Sequence, residues 1–333
     1  MPASSGGGGA LIGRLTLPLA LLVITSMACS HTRAPLCDGR YTMGTLLEIS
    51  LYTGDHAHGE RLLESLFAEV ERLDALLTTW NEASDVSRLN SRAGHGPHPV
   101  DPELARLLAR SVEYHHRTRG AFDVTIGPLV SLWAEAADRR KLPLEAEISQ
   151  TLDRVGTSML RVGPGSTAEL SRAGMRVDLG GIAKGYALDA AVRRLDEAGV
   201  ENAYLSFGQS SVHAMGKPPG SDGWRVLLRG TGDEFAGVVT LRDQALSVSG
   251  TLGQWTEIEG RRFGHILDPR TGHPLARARQ AAVVAPHGTA AEAYSKALLV
   301  LGESEGLQLL EGIDGVEALL IDDDGTQWQT SGW

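Results

Sequence analysis

The chain has 333 residues, of which 42% are hydrophobic, 22% are charged and only 5% are aromatic. Its formal net charge of −10 and its pI near 5.6 argue against a nucleic-acid-binding protein. They remain compatible with a local basic pocket for a phosphorylated ligand. A chain of this length can bury a large core, either as one big domain or as two lobes.

The first 29 residues differ in composition from the rest. Arg14 is followed by an apolar run (15–27), and Cys29 comes shortly after that run. This layout is typical of a secretory signal, and the run is short for a membrane span. Cys29 favours a lipoprotein-type signal peptide in residues 1–28, with Cys29 lipidated after cleavage. Plain secretion and a retained anchor stay open as alternatives. Residues 29–40 would then form a tether.

Periodicity and turn signals predict the elements that follow in chain order. Residues 41–53 alternate like a strand, 57–78 and 102–118 have helical spacing, and 78–90 is polar and turn-rich. A buried loop and apolar segment (120–133) precede a short helix (145–155). The remaining predictions are strands at 202–206, 211–216, 224–229, 236–241, 245–249, 278–285 and 316–321, and helices at 289–301 and 303–311.

The order of these elements predicts the fold class. Strands cluster between residues 202 and 250 instead of alternating regularly with helices, which argues against a doubly wound sheet. We therefore expect an α+β protein, with residues 41–333 forming a single large two-lobed domain of mixed sheets and flanking helices.

One glycine-rich segment, "DLGGIAKGYALDAA" (178–191), precedes a helical pattern. It has neither P-loop nor Rossmann spacing. Glycines, a helix N-terminus and Lys184 together suit an anion, and Asp178 can accept hydrogen bonds. The alternative is a tight turn into a helix, with Asp178 as its cap and Lys184 in solvent.

Two later segments also carry polar residues. In "GHILDPRTGHP" (264–274), His265 is a candidate general base or ligand contact, and Arg270 can pair with Asp268 in a self-satisfied turn. In "TAAEAYSKALLVLG" (289–302), Thr289 can cap a helix. Glu292 and Lys296 lie four residues apart, where an ordinary helix ion pair contributes about 0.3–0.5 kcal/mol.

With "YTMGT", "TTWNEASDVSRLN" and "GAFDVTIGPLVSLW", these segments occur in order between Tyr41 and Gly302, and together they resemble the ApbE family of FAD:protein FMN transferases. The resemblance implies an ApbE-like fold and an enzyme that transfers FMN from FAD to a Ser/Thr hydroxyl of a target protein through a phosphoester bond, releasing AMP. It also implies Mg²⁺ near the diphosphate. Members are often exported lipoproteins, so we expect a bacterial protein anchored to the membrane and facing the periplasm.

The resemblance also implies site residues by position. Met43 and Trp80 would line the flavin or adenine pockets, and residues 121–123 would form part of the FAD cleft. His265 would orient or deprotonate the incoming hydroxyl. The complete set expected to bind FAD is Met43, Trp80, Ala121, Phe122, Asp123, Asp178, Lys184, Ile266 and Leu267.

The positions of the family's metal ligands depart from its pattern. The carbonyl of Gly181 falls where the family offers a backbone ligand, but Glu292 stands in place of an Asp and Lys296 in place of a Thr. The segment "SFGQS" (206–210) lacks the family's carboxylate. These changes predict that Mg²⁺ binds weakly or not at all, and that Lys296 can supply the positive charge itself. The alternative function is an exported FAD-binding relative with little or no transferase activity.

Overall fold

The structure is a computed structural model that describes residues 34–231, 234–251 and 255–333. The predicted signal peptide (1–28) and Cys29 lie outside the described residues. Residues 34–333 form one compact unit. Among the residues described, no helix is both long enough and apolar enough to cross a membrane.

The helices of the described chain flank the sheets. They are α1 (His56–Leu77), α2 (Asp85–Ser91), α3 (Pro102–Arg117), α4 (Gly127–Arg139), α5 (Glu145–Leu152), α6 (Ala183–Glu197) and α7 (Gly288–Glu311), with a 3₁₀ turn at Thr157–Met159. Asp101 caps α3 as its Asp-Pro signal predicts, because its carboxylate accepts the Glu103 N–H at 2.7 Å. The two helices predicted at 289–301 and 303–311 are confirmed as the two parts of α7, which are separated at Gly302, where a φ of 77° and a ψ of −169° are not helical.

Within residues 34–231, 234–251 and 255–333, the strands form one large sheet and three small ones. They are β1 (Leu36–Thr42), β2 (Thr45–Leu51), β3 (His98–Pro99), β4 (Leu160–Gly163), β5 (Thr167–Leu170), β6 (Ala203–Phe207), β7 (Ser211–Met215), β8 (Trp224–Arg229), β9 (Phe235–Leu241), β10 (Gln244–Gly250), β11 (Trp255–Ile258), β12 (Arg261–Gly264), β13 (Arg279–Ala285), β14 (Glu317–Asp322) and β15 (Gln327–Gln329). The large sheet has the order β1-β2-β6-β7-β10-β13-β14-β15.

The start of the fold corrects two expectations. The predicted strand at 41–53 is a hairpin, because Met43 and Gly44 both take positive φ, 49° and 77°, and turn the chain from β1 into β2. The predicted tether (29–40) is too long, because β1 begins at Leu36 and pairs with β2 along its length. Residues 36–40 therefore belong to the folded domain.

The large sheet carries a hydrophobic core on each face. Successive residues of β13 alternate between the two cores, with Ala281 and Val283 in one and Ala282 and Val284 in the other. The larger core lies beneath the helices, and the smaller one includes the β8–β9 hairpin. The α+β class with flanking helices is thus confirmed, but the expected two lobes are two sides of one shared sheet. The named strands pair antiparallel instead of in mixed sheets, since hairpins join many neighbours.

Helices α6 and α7 cross at a contact that only glycine allows. A Cβ added to Gly185 would lie 2.2 Å from the carbonyl oxygen of Gly288, and one added to Gly288 would lie 2.7 Å from the carbonyl oxygen of Gly185. The two backbones therefore touch directly. This crossing brings the first turns of both helices to one place.

Candidate active site

The glycine-rich segment forms a tight turn before α6. The Asp178 N–H donates to the carbonyl of Val124 at 2.8 Å, and Asp178 Oδ1 accepts the Gly180 N–H at 2.8 Å. The carboxylate therefore shapes the turn ahead of the helix, and α6 begins with no side-chain cap. An uncapped helix N-terminus presents N–H groups that favour an anion.

Lys184 lies in the first turn of α6 and is half-buried. Its Nζ donates to the hydroxyl of Ser210 at 3.1 Å. Burial lowers the pKa of the Lys184 ammonium. The alternative that placed this lysine in solvent was therefore wrong, because the β6–β7 turn holds it.

The altered segment "SFGQS" forms that turn. Gly208 and Gln209 both have positive φ, 52° and 63°, and reverse the chain between the two strands. Ser210 then meets Lys184, and the next residue, Ser211, donates its hydroxyl to Glu292. Two adjacent serines thus connect the turn to Lys184 on α6 and to Glu292 on α7. The missing carboxylate is evident from the sequence, but these two contacts depend on the fold.

Glu292 and Lys296 form the predicted ion pair on α7, but the pair is buried. Glu292 is 1% exposed, and its Oε2 contacts the Lys296 Nζ while its Oε1 accepts from Ser211. The Lys296 side chain keeps 20% of its surface exposed. Removing one partner of such a pair would leave an uncompensated charge inside the protein, which an exposed helix pair would not do.

The two lysines lie within electrostatic range of each other. Burial lowers the pKa of Lys296 well below its ordinary value, and repulsion from Lys184 lowers it further. Direct contact with the Glu292 carboxylate favours the charged form in return. An anion bound beside both ammonium groups would relieve their repulsion, so the arrangement is suited to a phosphate or diphosphate.

The same residues do not fit a magnesium ion. Mg²⁺ needs nearly octahedral oxygen ligands, usually including one or two free carboxylates. Both oxygens of Glu292 are engaged, and the Lys296 ammonium occupies the position beside it. Across residues 34–231, 234–251 and 255–333, the one group of three acidic, His or Cys side chains close enough for a metal is Asp322, Asp323 and Asp324.

Asp189, which the sequence analysis missed, anchors α7 from the middle of α6. Its carboxylate accepts the Gly288 N–H at 2.6 Å, the Thr289 N–H at 3.0 Å and the Thr289 hydroxyl. Burial by itself would raise the pKa of Asp189, but contacts with His213 and Thr289 outweigh it and hold the pKa below its ordinary value. Thr289 was the predicted cap. That was wrong, because it lies inside α7 and donates to Asp189.

The loop before α4 contains the predicted FAD-cleft residues Ala121, Phe122 and Asp123, all buried. Asp123 Oδ1 accepts from the N–H and hydroxyl of Thr125 at 2.7 and 2.6 Å, and His115 Nδ1 lies 3.1 Å from its Oδ2. Burial alone would raise the pKa of Asp123, but these contacts lower it, and the carboxylate in turn raises the pKa of His115. Asp123 therefore shapes the loop.

This loop meets the glycine-rich segment. A Cβ added to Gly181 would lie 3.6 Å from the Phe122 ring, and Glu292 lies beside Gly185, one turn further along α6. The structure thus brings residues 121–123, 178–185, Glu292 and Lys296 together.

Met43 and Trp80 lie on other loops. The Met43 N–H donates to Asp74 Oδ2 at 2.9 Å, which fixes the β1–β2 turn against α1. Trp80 is 96% exposed, so its ring is available to a ligand. Its segment reaches the glycine-rich turn through Asn90, whose amide bonds the N–H and carbonyl of Val177 at 2.7 and 2.9 Å.

His265 is exposed at the edge of a groove of about 380 Å³. Leu267 is buried and lines this groove, while Ile266 is half-buried. Asp268 and Arg270 pair at 2.9 Å, as the turn pattern predicted. The groove is lined by Val130, Trp133, Ala134, Trp255, Thr256, Ile258, Phe263, Gly264, His265, Leu267 and Pro274.

Strand β10 connects the segment 264–274, which contains His265, to α7. Its Ser249 hydroxyl lies 2.8 Å from the hydroxyl of Ser295, the neighbour of Lys296. Thr251 directly follows β10, and Gly264 directly precedes His265. A Cβ added to Gly264 would lie 2.5 Å from the carbonyl oxygen of Thr251. His265 is thereby tied through β10 to the helix that carries the buried ion pair.

The fold defines an α+β protein whose crossing helices, α6 and α7, bring Lys184, Glu292 and Lys296 to one site, apart from the residues that line the groove beside His265. The sequence profile of the ApbE family matches residues 43–320, and the chain belongs to that family. The resemblance found in the sequence is confirmed.

Curated relatives agree over nearly the whole chain. The FAD:protein FMN transferase of Klebsiella pneumoniae (strain 342) is 29% identical over 96% of this chain and 93% of its own. The FAD:protein FMN transferase of Treponema pallidum is 32% identical over 84% of this chain and 82% of its own. Among solved structures, the ApbE protein of Thermotoga maritima has a TM-score of 0.82 at 25% identity, covering 90% of this chain and 97% of its own. The flavinyl transferase ApbE of Pseudomonas stutzeri has a TM-score of 0.79 at 28% identity, covering 90% of this chain and 96% of its own.

Proposed function

We propose that the protein is an FAD:protein FMN transferase. A Ser or Thr hydroxyl oxygen of a target protein bonds to the FMN phosphorus, the P–O bond to AMP breaks, and FMN stays attached as a phosphoester. The observation that carries this proposal is the pair of half-buried lysines, Lys184 in the first turn of α6 and Lys296 on α7, where the two helices cross. Such groups stabilise charge that develops on a diphosphate as it is cleaved.

The other site residues divide between binding and proton transfer. Asp178 and Lys184 contact FAD at the glycine-rich turn, Met43 and Trp80 line the flavin or adenine pockets, and residues 121–123 form part of the FAD cleft. Ile266 and Leu267 lie against the ligand. His265 accepts the proton of the incoming hydroxyl, and its exposed position at the groove leaves room for a protein substrate.

A second candidate is a flavin-binding protein with little or no transferase activity. The observation in its favour is the Glu292 carboxylate, whose two oxygens are already engaged by Ser211 and Lys296. Because Ser211 and Lys296 engage both oxygens of Glu292, these residues do not fit Mg²⁺, and no step of FMN transfer is assigned to a metal.

One experiment separates the two candidates. The full chain in mild detergent is incubated with FAD and a domain that carries a Ser/Thr flavinylation site. Covalent FMN is followed by in-gel fluorescence and intact mass, with the acceptor hydroxyl replaced by Ala as control. Transferase activity predicts an FMN mass increase and AMP release with the intact acceptor alone. Bound FAD with no transfer would favour the second candidate.

We also propose that the protein is an exported lipoprotein. The support is the sequence of residues 1–29, an apolar run followed by Cys29. A lipid on Cys29 would hold the folded domain, which begins at about Leu36, near a membrane facing the periplasm. Mass spectrometry of the purified protein tests this, because Cys29→Ser should abolish the lipid mass and release the protein from membranes.

A further inference from the structure

The buried pair Glu292–Lys296 presents a cation to the pocket. An ammonium has three N–H donors, so contact with Glu292 leaves donors for a second partner. The side chain of Lys296 keeps 20% of its surface exposed, whereas that of Glu292 keeps 2%. The charge that a ligand meets at this position is therefore the ammonium, with the carboxylate behind it.

Lys184 supplies a second cation on the facing helix. It is held by Ser210 at 3.1 Å, and the next residue, Ser211, donates to Glu292, the ion-pair partner of Lys296. The backbone contact between Gly185 and Gly288 fixes the spacing of the two helices that carry these lysines. Two cations on a rigid crossing resemble the positive charge that a divalent metal would bring to a diphosphate.

The surrounding acids are engaged elsewhere. The Asp189 carboxylate accepts a hydrogen bond from Gly288 at the start of α7. The Asp123 carboxylate accepts from Thr125 in its own loop and pairs with His115. Ser206, Gln209 and Ser210 in the adjacent turn are neutral. In the described part of the chain, a divalent ion beside Glu292 would meet the Lys296 ammonium and no group of three free acids.

We propose that Lys296, together with Lys184, is the cation that faces the FAD diphosphate in this protein, so that FAD binding and FMN transfer need no divalent metal. The inference rests on the proposed function. The step balances without a metal: the acceptor oxygen bonds to phosphorus, the diphosphate P–O bond breaks, the proton passes to His265, and the AMP phosphate leaves beside the two ammonium groups.

The test measures FAD affinity and transfer separately. FAD binding to the full chain is followed by flavin fluorescence in EDTA and in Mg²⁺, and covalent FMN is followed with an acceptor domain. We expect both the Kd and the transfer rate to stay within about twofold between the two conditions. Affinity or transfer that collapses in EDTA and returns with Mg²⁺ would overturn the proposal.

Three variants sharpen the test. Lys296→Met should weaken FAD binding in EDTA about tenfold, as expected for losing a hydrogen bond to a charged group, and slow transfer about a hundredfold. The double variant Glu292→Asp with Lys296→Thr offers oxygens in place of the ammonium, and its FAD affinity should rise with Mg²⁺. Lys141→Met removes an exposed lysine and should leave both measurements unchanged.

The outcomes remain distinguishable if a variant fails to fold. If Lys296→Met unfolds, wild-type protein and the double variant still decide between metal and lysine. FAD affinity unaffected by Lys296→Met in a folded protein would contradict the proposal. Absence of covalent FMN in every condition would contradict the proposed transferase, while FAD affinity with and without Mg²⁺ would still test the role of Lys296.

Discussion

The contact between Gly185 and Gly288 makes a sharp prediction about the site. In Gly185→Ala, the new Cβ would lie 2.2 Å from the Gly288 carbonyl oxygen and 2.8 Å from the Cγ of Glu292. The first neighbour is backbone and cannot rotate away, so α6 and α7 must move apart by about 1 Å to restore ordinary contact. The variant therefore changes the geometry of the cationic site without removing a charge.

The expected magnitudes follow from that shift. Overpacking of a core costs about 1–3 kcal/mol, and we expect the upper end because the clash is with backbone. At about 2 °C per kcal/mol for a domain of this size, the melting temperature should fall by about 6 °C. A displacement of about 1 Å at a reacting group can slow catalysis about a hundredfold, so FMN transfer should fall about a hundredfold even at a temperature where the variant is folded.

Gly312→Ala provides the matched control. Gly312 ends α7 with an ordinary φ of −85°, and the nearest atom to its added Cβ is 3.8 Å away. We expect a change within about 0.5 kcal/mol. Thermal melts followed by circular dichroism and transfer assays at a temperature where all three proteins are folded provide the comparison. A Gly185→Ala protein as stable and active as Gly312→Ala would refute the reasoning.

Three further predictions each concern a single side chain. The folded-state pKa of Asp189 is lowered, so its stabilisation is present above the unfolded value of about 3.9 and is lost as pH falls through the folded pKa. In urea unfolding between pH 6 and 3, wild-type stability should therefore decline more steeply than that of Asp189→Asn; parallel curves would contradict this. Lys184→Met should weaken FAD binding about 10- to 100-fold by flavin fluorescence, as for a hydrogen bond to a charged group, and an unchanged Kd would remove Lys184 from the site. His265→Ala should lower the transfer rate by about 10²–10⁴ with FAD affinity retained, whereas equal loss of both would make His265 a binding residue.

Local patterns predicted the long elements well. The helical spacing of 57–78 corresponds to α1 (His56–Leu77), and Asp101 with Pro102 marks the observed start of α3. The break in α7 at Gly302 was also predicted, but the hairpin turn was missed, since Met43-Gly44 interrupts an otherwise strand-like run. The geometry of that turn depends on φ values that side-chain periodicity does not encode.

The candidate site, like the fold, was predicted in part from the sequence. Spacing alone placed Glu292 and Lys296 on one helix face, and the glycine-rich segment at a helix N-terminus. Burial changed what these residues do. Ser211, eighty-one positions before Glu292 in the chain, occupies one of its oxygens. Asp189 gave no sequence signal, because an acid inside a helix has no evident role until another helix begins beside it.

The sequence by itself determined the family, the α+β class and which residue types were available for an anion site, because these depend on composition and on the order of motifs. The tertiary structure decided how the charges are used. It alone brought Lys184 within reach of Lys296 and turned a helix ion pair into a buried one. The physical reason is that the strength and role of a charge depend on desolvation and on partners distant in sequence, and both exist once the chain has folded.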